Sequence, residues 1–194
     1  MEIVSKFLTQ QLVKNRMIES ESAEIYEYGF KLILSSLFII ICIGLMGIIG
    51  GCIISAVVYI CAFMHIRHYS GGYHANTYKK CFILSNSLFL VTLVIIVIQA
   101  RYQLKYSLII FSWLSTIYLW IAGGDATKRN PKTAEELAYR KRKVRRISFG
   151  YSLVSTFLFL GLHQYLDIGT ILICTQIYTV FTVWINKREK GELE

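Results

Sequence analysis

Apolar positions in this chain fall into a three- and four-residue rhythm at its start and into long unbroken runs thereafter. Between Met1 and Ser20, Ile3, Val4, Phe7, Leu8, Leu12, Val13 and Met17 recur at helical steps, with Lys6, Lys14 and Arg16 between them. That spacing predicts an amphipathic helix lying on a membrane surface. The segment lacks the apolar core and small-residue cleavage site of a signal peptide. Ser20 and Ser22, followed by Glu24, are start signals for the next helix. Leu32–Ile49 is long enough to span a bilayer at about 1.5 Å of rise per residue. Gly50-Gly51 then predicts a tight turn, and Cys52–Ile66 returns as a shorter run. Phe82–Ala100, Tyr106–Ala122, Ile147–Leu162 and Ile168–Ile185 bring the predicted spans to six. Two polar stretches interrupt them, Arg67–Cys81 and the basic Gly123–Arg146, and a hydrophilic tail follows from Asn186.

Composition agrees with the pattern. Hydrophobic residues make up 55% of the 194 and charged residues 17%, well under the roughly 25% usual in soluble domains. Mean hydropathy is +0.50. The expectation is an all-α integral membrane protein forming one membrane-embedded domain over residues 1–194, with no separate soluble part and no internal repeat. A net charge of +9 could suggest nucleic acid, but lysine and arginine in the loops of a membrane protein first mark the cytoplasmic side. No nucleic-acid partner is expected. The start of the chain, both polar stretches and the tail carry nearly all the cations, while the turns at Gly50, Arg101–Lys105 and His163–Asp167 carry few. Six spans put these two sets on opposite sides, with both termini cytoplasmic.

The chemistry is concentrated in Arg67–Cys81, which reads Arg-His-Tyr-Ser-Gly-Gly-Tyr-His-Ala-Asn-Thr-Tyr-Lys-Lys-Cys. Four of the five cysteines, Cys42, Cys52, Cys61 and Cys174, lie inside apolar runs and read as small packing residues. Cys81 sits instead at a polar–apolar boundary. At the start of a helix, the positive end of the dipole together with Lys79 and Lys80 favours its thiolate, the nucleophilic form. His74 could serve as its base and later protonate a leaving amine. An unbroken helix would hold the two about 10.5 Å apart along its axis, so the chemistry needs a bend between them. Gly71-Gly72 supplies flexibility for presenting His74, and Asn76 and Asp125 are candidate orienting partners. The bland alternative is a cytoplasmic turn anchored at headgroup level by Tyr69, Tyr73 and Tyr78. Zinc on His65, His68, His74 and Cys81 is disfavoured, because no carboxylate accompanies them and no His-Glu-x-x-His occurs. No metal and no cofactor is expected.

Arg67, the block Gly71-Gly72-Tyr73-His74-Ala75, and a cysteine seven residues after the histidine at Cys81 together resemble the signature of the AgrB family. These are membrane endopeptidases of accessory-gene-regulator quorum sensing in Gram-positive bacteria. Chain length, about six spans and the amphipathic start also resemble that family, so the likeness covers nearly the whole sequence. By the resemblance, His74 and Cys81 take the positions of the catalytic pair in a multi-pass protein of the bacterial cell membrane. The substrate implied is an AgrD-like precursor peptide, cleaved through a thioester and closed to a cyclic thiolactone or lactone. A homodimer is reasonable on the same ground. Lys79, Lys80, Lys128, Arg129, Arg140, Lys141 and Arg142 then read as candidates to attract the precursor's acidic tail or anionic lipid. The chain departs from the family pattern after the fourth span, where members carry two prolines and this sequence has Gly123-Gly124 and only Pro131. The reading from another class is a small non-enzymatic membrane protein, a peptide exporter component or a sensor scaffold.

Overall fold

A computed structural model describes residues 2–70, 78–124 and 133–190. Those residues are helical almost throughout, with no strand among them, and seven α-helices follow one another along the chain. The amphipathic start folds as α1, Glu2–Lys14. It lays Ser5 and Thr9 against α2 and leaves Ile3, Val4 and Phe7 exposed, the face that a lipid surface would cover. Helix α2, Ala23–Ile49, is longer than the apolar run that predicted it. Its polar first turns are supported by a 2.6 Å ion pair between Glu27 and Lys31, one helical turn apart.

The predicted turn at Gly50-Gly51 is present. Gly51 lies in the left-handed region at φ +65°, and the Cys52 N–H donates to the Gly47 carbonyl at 2.7 Å. Helix α3, Ile53–Ser70, returns against α2. The two backbones approach so closely that a Cβ on Gly47 would stand 2.5 Å from the Cβ of Ala56. Small residues at a crossing are how membrane helices gain packing contact without a hydrophobic driving force. Helices α4, Tyr78–Tyr102, and α5, Lys105–Ala122, follow.

Of the basic stretch predicted as a loop, residues 134–146 are helical. Thr133 caps α6, its Oγ1 accepting from the Glu136 N–H, and Glu135 and Glu136 lie in the first turn, where the dipole favours acids. From there α6 runs without a break over Ala134–Gly161, taking in the whole of Arg140–Arg146. Helix α7, Leu166–Lys190, closes the described fold.

Helix α7 is the post of the bundle. It packs against α3, α4, α5 and α6, and every residue from 169 to 176 is buried. One apolar cluster joins it to α2, α3 and α4 through Ile43, Tyr59, Phe63, Phe89 and Ile171. A second joins Ile66, Leu119, Val144 and Val183. Between α5, α6 and α7 lies a polar seam. The Gln176 amide donates to the Ser148 carbonyl at 2.6 Å and its oxygen accepts from Ser112 at 2.7 Å. Ser152 stands 2.7 Å from both Ser112 and Thr116. Where water is absent, such groups must find partners inside the bundle.

Among the described residues, five helical stretches are long and apolar enough to cross a membrane: Ser20–Ile49, Ile53–Ser70, Cys81–Tyr102, Lys105–Ala122 and Leu166–Arg188. The chain is thus an all-α integral membrane protein. Helix α6 is not one of the five, since its first half carries the basic run. It nevertheless lies antiparallel along the full length of α5, with Arg145 beside Trp120, Ser152 beside Ser112 and Phe159 beside Leu108.

Candidate active site

Cys81 occupies the first turn of α4 and is half-buried. It forms part of the wall of an open cavity of about 570 Å³ lined by four helices. Ile39, Ile40 and Ile43 of α2 make one side, Tyr59, Phe63 and Arg67 of α3 another, and Tyr139 and Arg140 of α6 a third. Its lining is mostly apolar and also carries Arg67, His68, Glu136 and Arg140. On α3 the lining follows from spacing, because Tyr59, Phe63 and Arg67 stand four residues apart and so share one helix face.

Arg67 therefore lines the same cavity as Cys81. Its guanidinium lies 5.3 Å from the centre of the Phe63 ring, and it is within electrostatic reach of both Cys81 and Tyr59. A cation held over an aromatic face and facing a sulfur suits a site where negative charge appears, whether as thiolate or as oxyanion. The Tyr59 hydroxyl donates to the Ser85 carbonyl at 3.3 Å, tying α3 to α4 one turn beyond Cys81.

The end of α3 is held as well. A helix leaves its last four carbonyls without intrahelical donors, and here each has one. Ser70 Oγ donates to the Arg67 carbonyl at 3.5 Å. Arg140 of α6 donates through Nη2 to His68 O at 2.9 Å and through Nε to Tyr69 O at 3.2 Å. The Gly124 N–H donates to Ser70 O at 2.8 Å. Tyr139 meets Tyr69 edge-on. Arg145 does for α5 what Arg140 does for α3, donating to the Trp120 carbonyl at 3.1 Å while the Trp120 indole donates to the Arg145 carbonyl.

The structure thus brings Arg67, Cys81 and Arg140 to one cavity. Both ends of the Arg67–Cys81 stretch are helical, α3 reaching Ser70 and α4 beginning at Tyr78. His74, Gly71, Gly72, Asn76, Asp125, Lys128 and Arg129 lie outside the described residues, as do the side chains of Lys79 and Lys80. Lys141 and Arg142 are on α6, Arg142 exposed. Sequence reasoning missed the α2 wall, Tyr59, and the carbonyl bonds of Arg140. The four-residue spacing of Tyr59, Phe63 and Arg67 was the available signal for the first aromatic. Asn86, polar within α4, donates to Phe82 O in its own helix at 2.8 Å.

A family model described as Accessory gene regulator B, AgrB, matches residues 5–183. The chain belongs to the AgrB family. It is therefore a membrane protein of the accessory gene regulator type of quorum sensing, and the match spans every helix that lines the cavity. No curated protein and no solved structure matches the chain.

Proposed function

We propose that this AgrB protein is a membrane cysteine endopeptidase that removes the C-terminal segment of an AgrD-like precursor peptide and promotes its cyclisation. The observation that carries the proposal is Cys81 in the wall of a half-apolar cavity with Arg67 in electrostatic reach, in a chain of this family. The Cys81 thiolate attacks the carbonyl that precedes the acidic tail, and Arg67 faces the charge that develops. The tetrahedral adduct collapses, the C–N bond breaks, and His74 protonates the departing amine. The precursor is now joined to Cys81 as a thioester. A cysteine or serine within the precursor attacks that thioester, gives up its proton to His74, and leaves as the ring, returning Cys81 as thiolate.

Two features favour ring closure over hydrolysis. Ile39, Ile40, Ile43 and Phe63 line the cavity that holds Cys81 with apolar surface, which disfavours water around the acyl group. The internal nucleophile is tethered, so its effective concentration is high. Lys79, Lys80, Lys128, Arg129, Lys141 and Arg142 attract the acidic tail or anionic headgroups. We further propose six crossings with both termini in the cytoplasm, because α6 accompanies α5 along its whole length, and a homodimer as the working assembly.

Co-expression with the precursor tests the reading. Cys81→Ala and His74→Ala should each abolish cleavage while inserting in the membrane normally. Cleavage that persists in either variant removes that residue from the mechanism.

A further inference from the structure

We propose that Arg140 is a positioning residue: by closing the carbonyl end of α3 together with Gly124, it holds Arg67 against Cys81. The inference rests on Cys81 being the nucleophile. In the basic stretch Arg140 reads as one more cation awaiting an anion, yet its donors already point at the backbone of His68 and Tyr69. A planar guanidinium can serve two neighbouring carbonyls at once, which an ammonium cannot do in the same geometry.

The second half of the clamp is equally particular. Gly124 has φ +84°, a left-handed conformation that side chains rarely adopt. A Cβ there would lie 2.8 Å from the backbone nitrogen of Lys141. Gly123 is as tight, since its Cβ would meet the buried Val144 side chain at 2.8 Å. The turn after α5 is therefore wedged between α3 and α6, one residue past Arg140. Ser70, the last residue of α3, is 1% exposed, so this helix end is built into the protein. Arg67 projects from the turn that the clamp closes, and the segment carrying His74 leaves from Ser70. Arg140 thereby acts on the site through α3 and touches no reacting atom.

The test compares Arg140→Lys, which keeps charge and stem, with Arg140→Gln, Gly124→Ala and the exposed control Arg146→Gln. The first readout is alkylation of Cys81 in the intact membrane-embedded protein by N-ethylmaleimide at neutral pH, with the adduct located by mass spectrometry. Misplacement of Arg67 should slow Cys81 alkylation about fivefold or more in both Arg140 variants and in Gly124→Ala. Simple loosening of the fold would instead speed it, by exposing a half-buried thiol. The second readout is cleavage of the co-expressed precursor. Positioning predicts a turnover loss of about tenfold or more, unrescued by lysine and equal for a precursor whose acidic tail is neutralised.

Wild-type alkylation in Arg140→Lys, or faster alkylation in all three variants, overturns the proposal. So does a cleavage defect confined to KM that vanishes with the neutralised tail, for Arg140 would then be binding the tail. Cleavage that survives Cys81→Ala marks failure of the peptidase reading itself. A dead Cys81→Ala beside a fully active Arg140→Lys marks failure of this inference alone.

Discussion

Two regions of the bundle spend similar side chains in opposite ways. In the seam between α5, α6 and α7, Ser112, Thr116, Ser152 and Gln176 bond to one another and to the Ser148 carbonyl. By contrast, the space between α2, α3, α4 and α6 is left as a cavity with a thiol and a guanidinium in its wall. Polar groups that are fully paired make a rigid unit. Groups that face an open space retain capacity for a substrate. The seam is thus the frame and the cavity the working part.

The widest gap between the regions should appear in Cys81→Ala, with loss of essentially all precursor cleavage, roughly a thousandfold or more, and an unchanged melting temperature in detergent. A large fall in melting temperature would place Cys81 in the frame. Thiol reactivity should divide along the same line. N-ethylmaleimide should modify Cys81 at neutral pH at least about tenfold faster than Cys174, which is 1% exposed. Equal rates would erase the distinction. Gln176→Leu should do the converse of Cys81→Ala. It removes the bonds of the amide to the Ser112 hydroxyl and the Ser148 carbonyl and should reduce stability by about 1–3 kcal/mol, measured by thermal or denaturant unfolding, while turnover per folded molecule is retained. A smaller effect, about 1 kcal/mol or more, is expected for Gly47→Ala, because the new methyl presses on Ala56 where α2 and α3 cross. Unaltered stability there would mean that the hairpin beside the cavity yields easily.

Much of the frame was legible in the sequence. Long apolar runs gave the helices, and Gly50-Gly51 gave the first turn. The ends of the helices were less legible, because hydropathy marks where the bilayer is and not where a helix stops. Residues 23–31 of α2 and 134–146 of α6 are helical beyond the apolar runs, supported by the Glu27–Lys31 pair and by the Thr133 cap. The central place of α7 was written in Thr170, Thr175, Gln176, Thr179 and Thr182, all buried, since polar residues in a span face protein and not lipid. Of the site, the spacing and types of Arg67, His74 and Cys81 were readable. The carbonyl partners of Arg140 were not, because they lie 71 and 72 positions away in the chain, and nothing local to Arg140 points to them.

Helix α6 has a mechanical consequence. It is rooted in the seam at Ser152 and carries Arg140 at its far end, twelve residues and about 18 Å away. A tilt of only about 5° at the root swings that end by about 1.6 Å, comparable to the displacements that cost an enzyme much of its rate. A change in bilayer thickness that re-angles this rod would be felt at the sulfur with no lipid touching it.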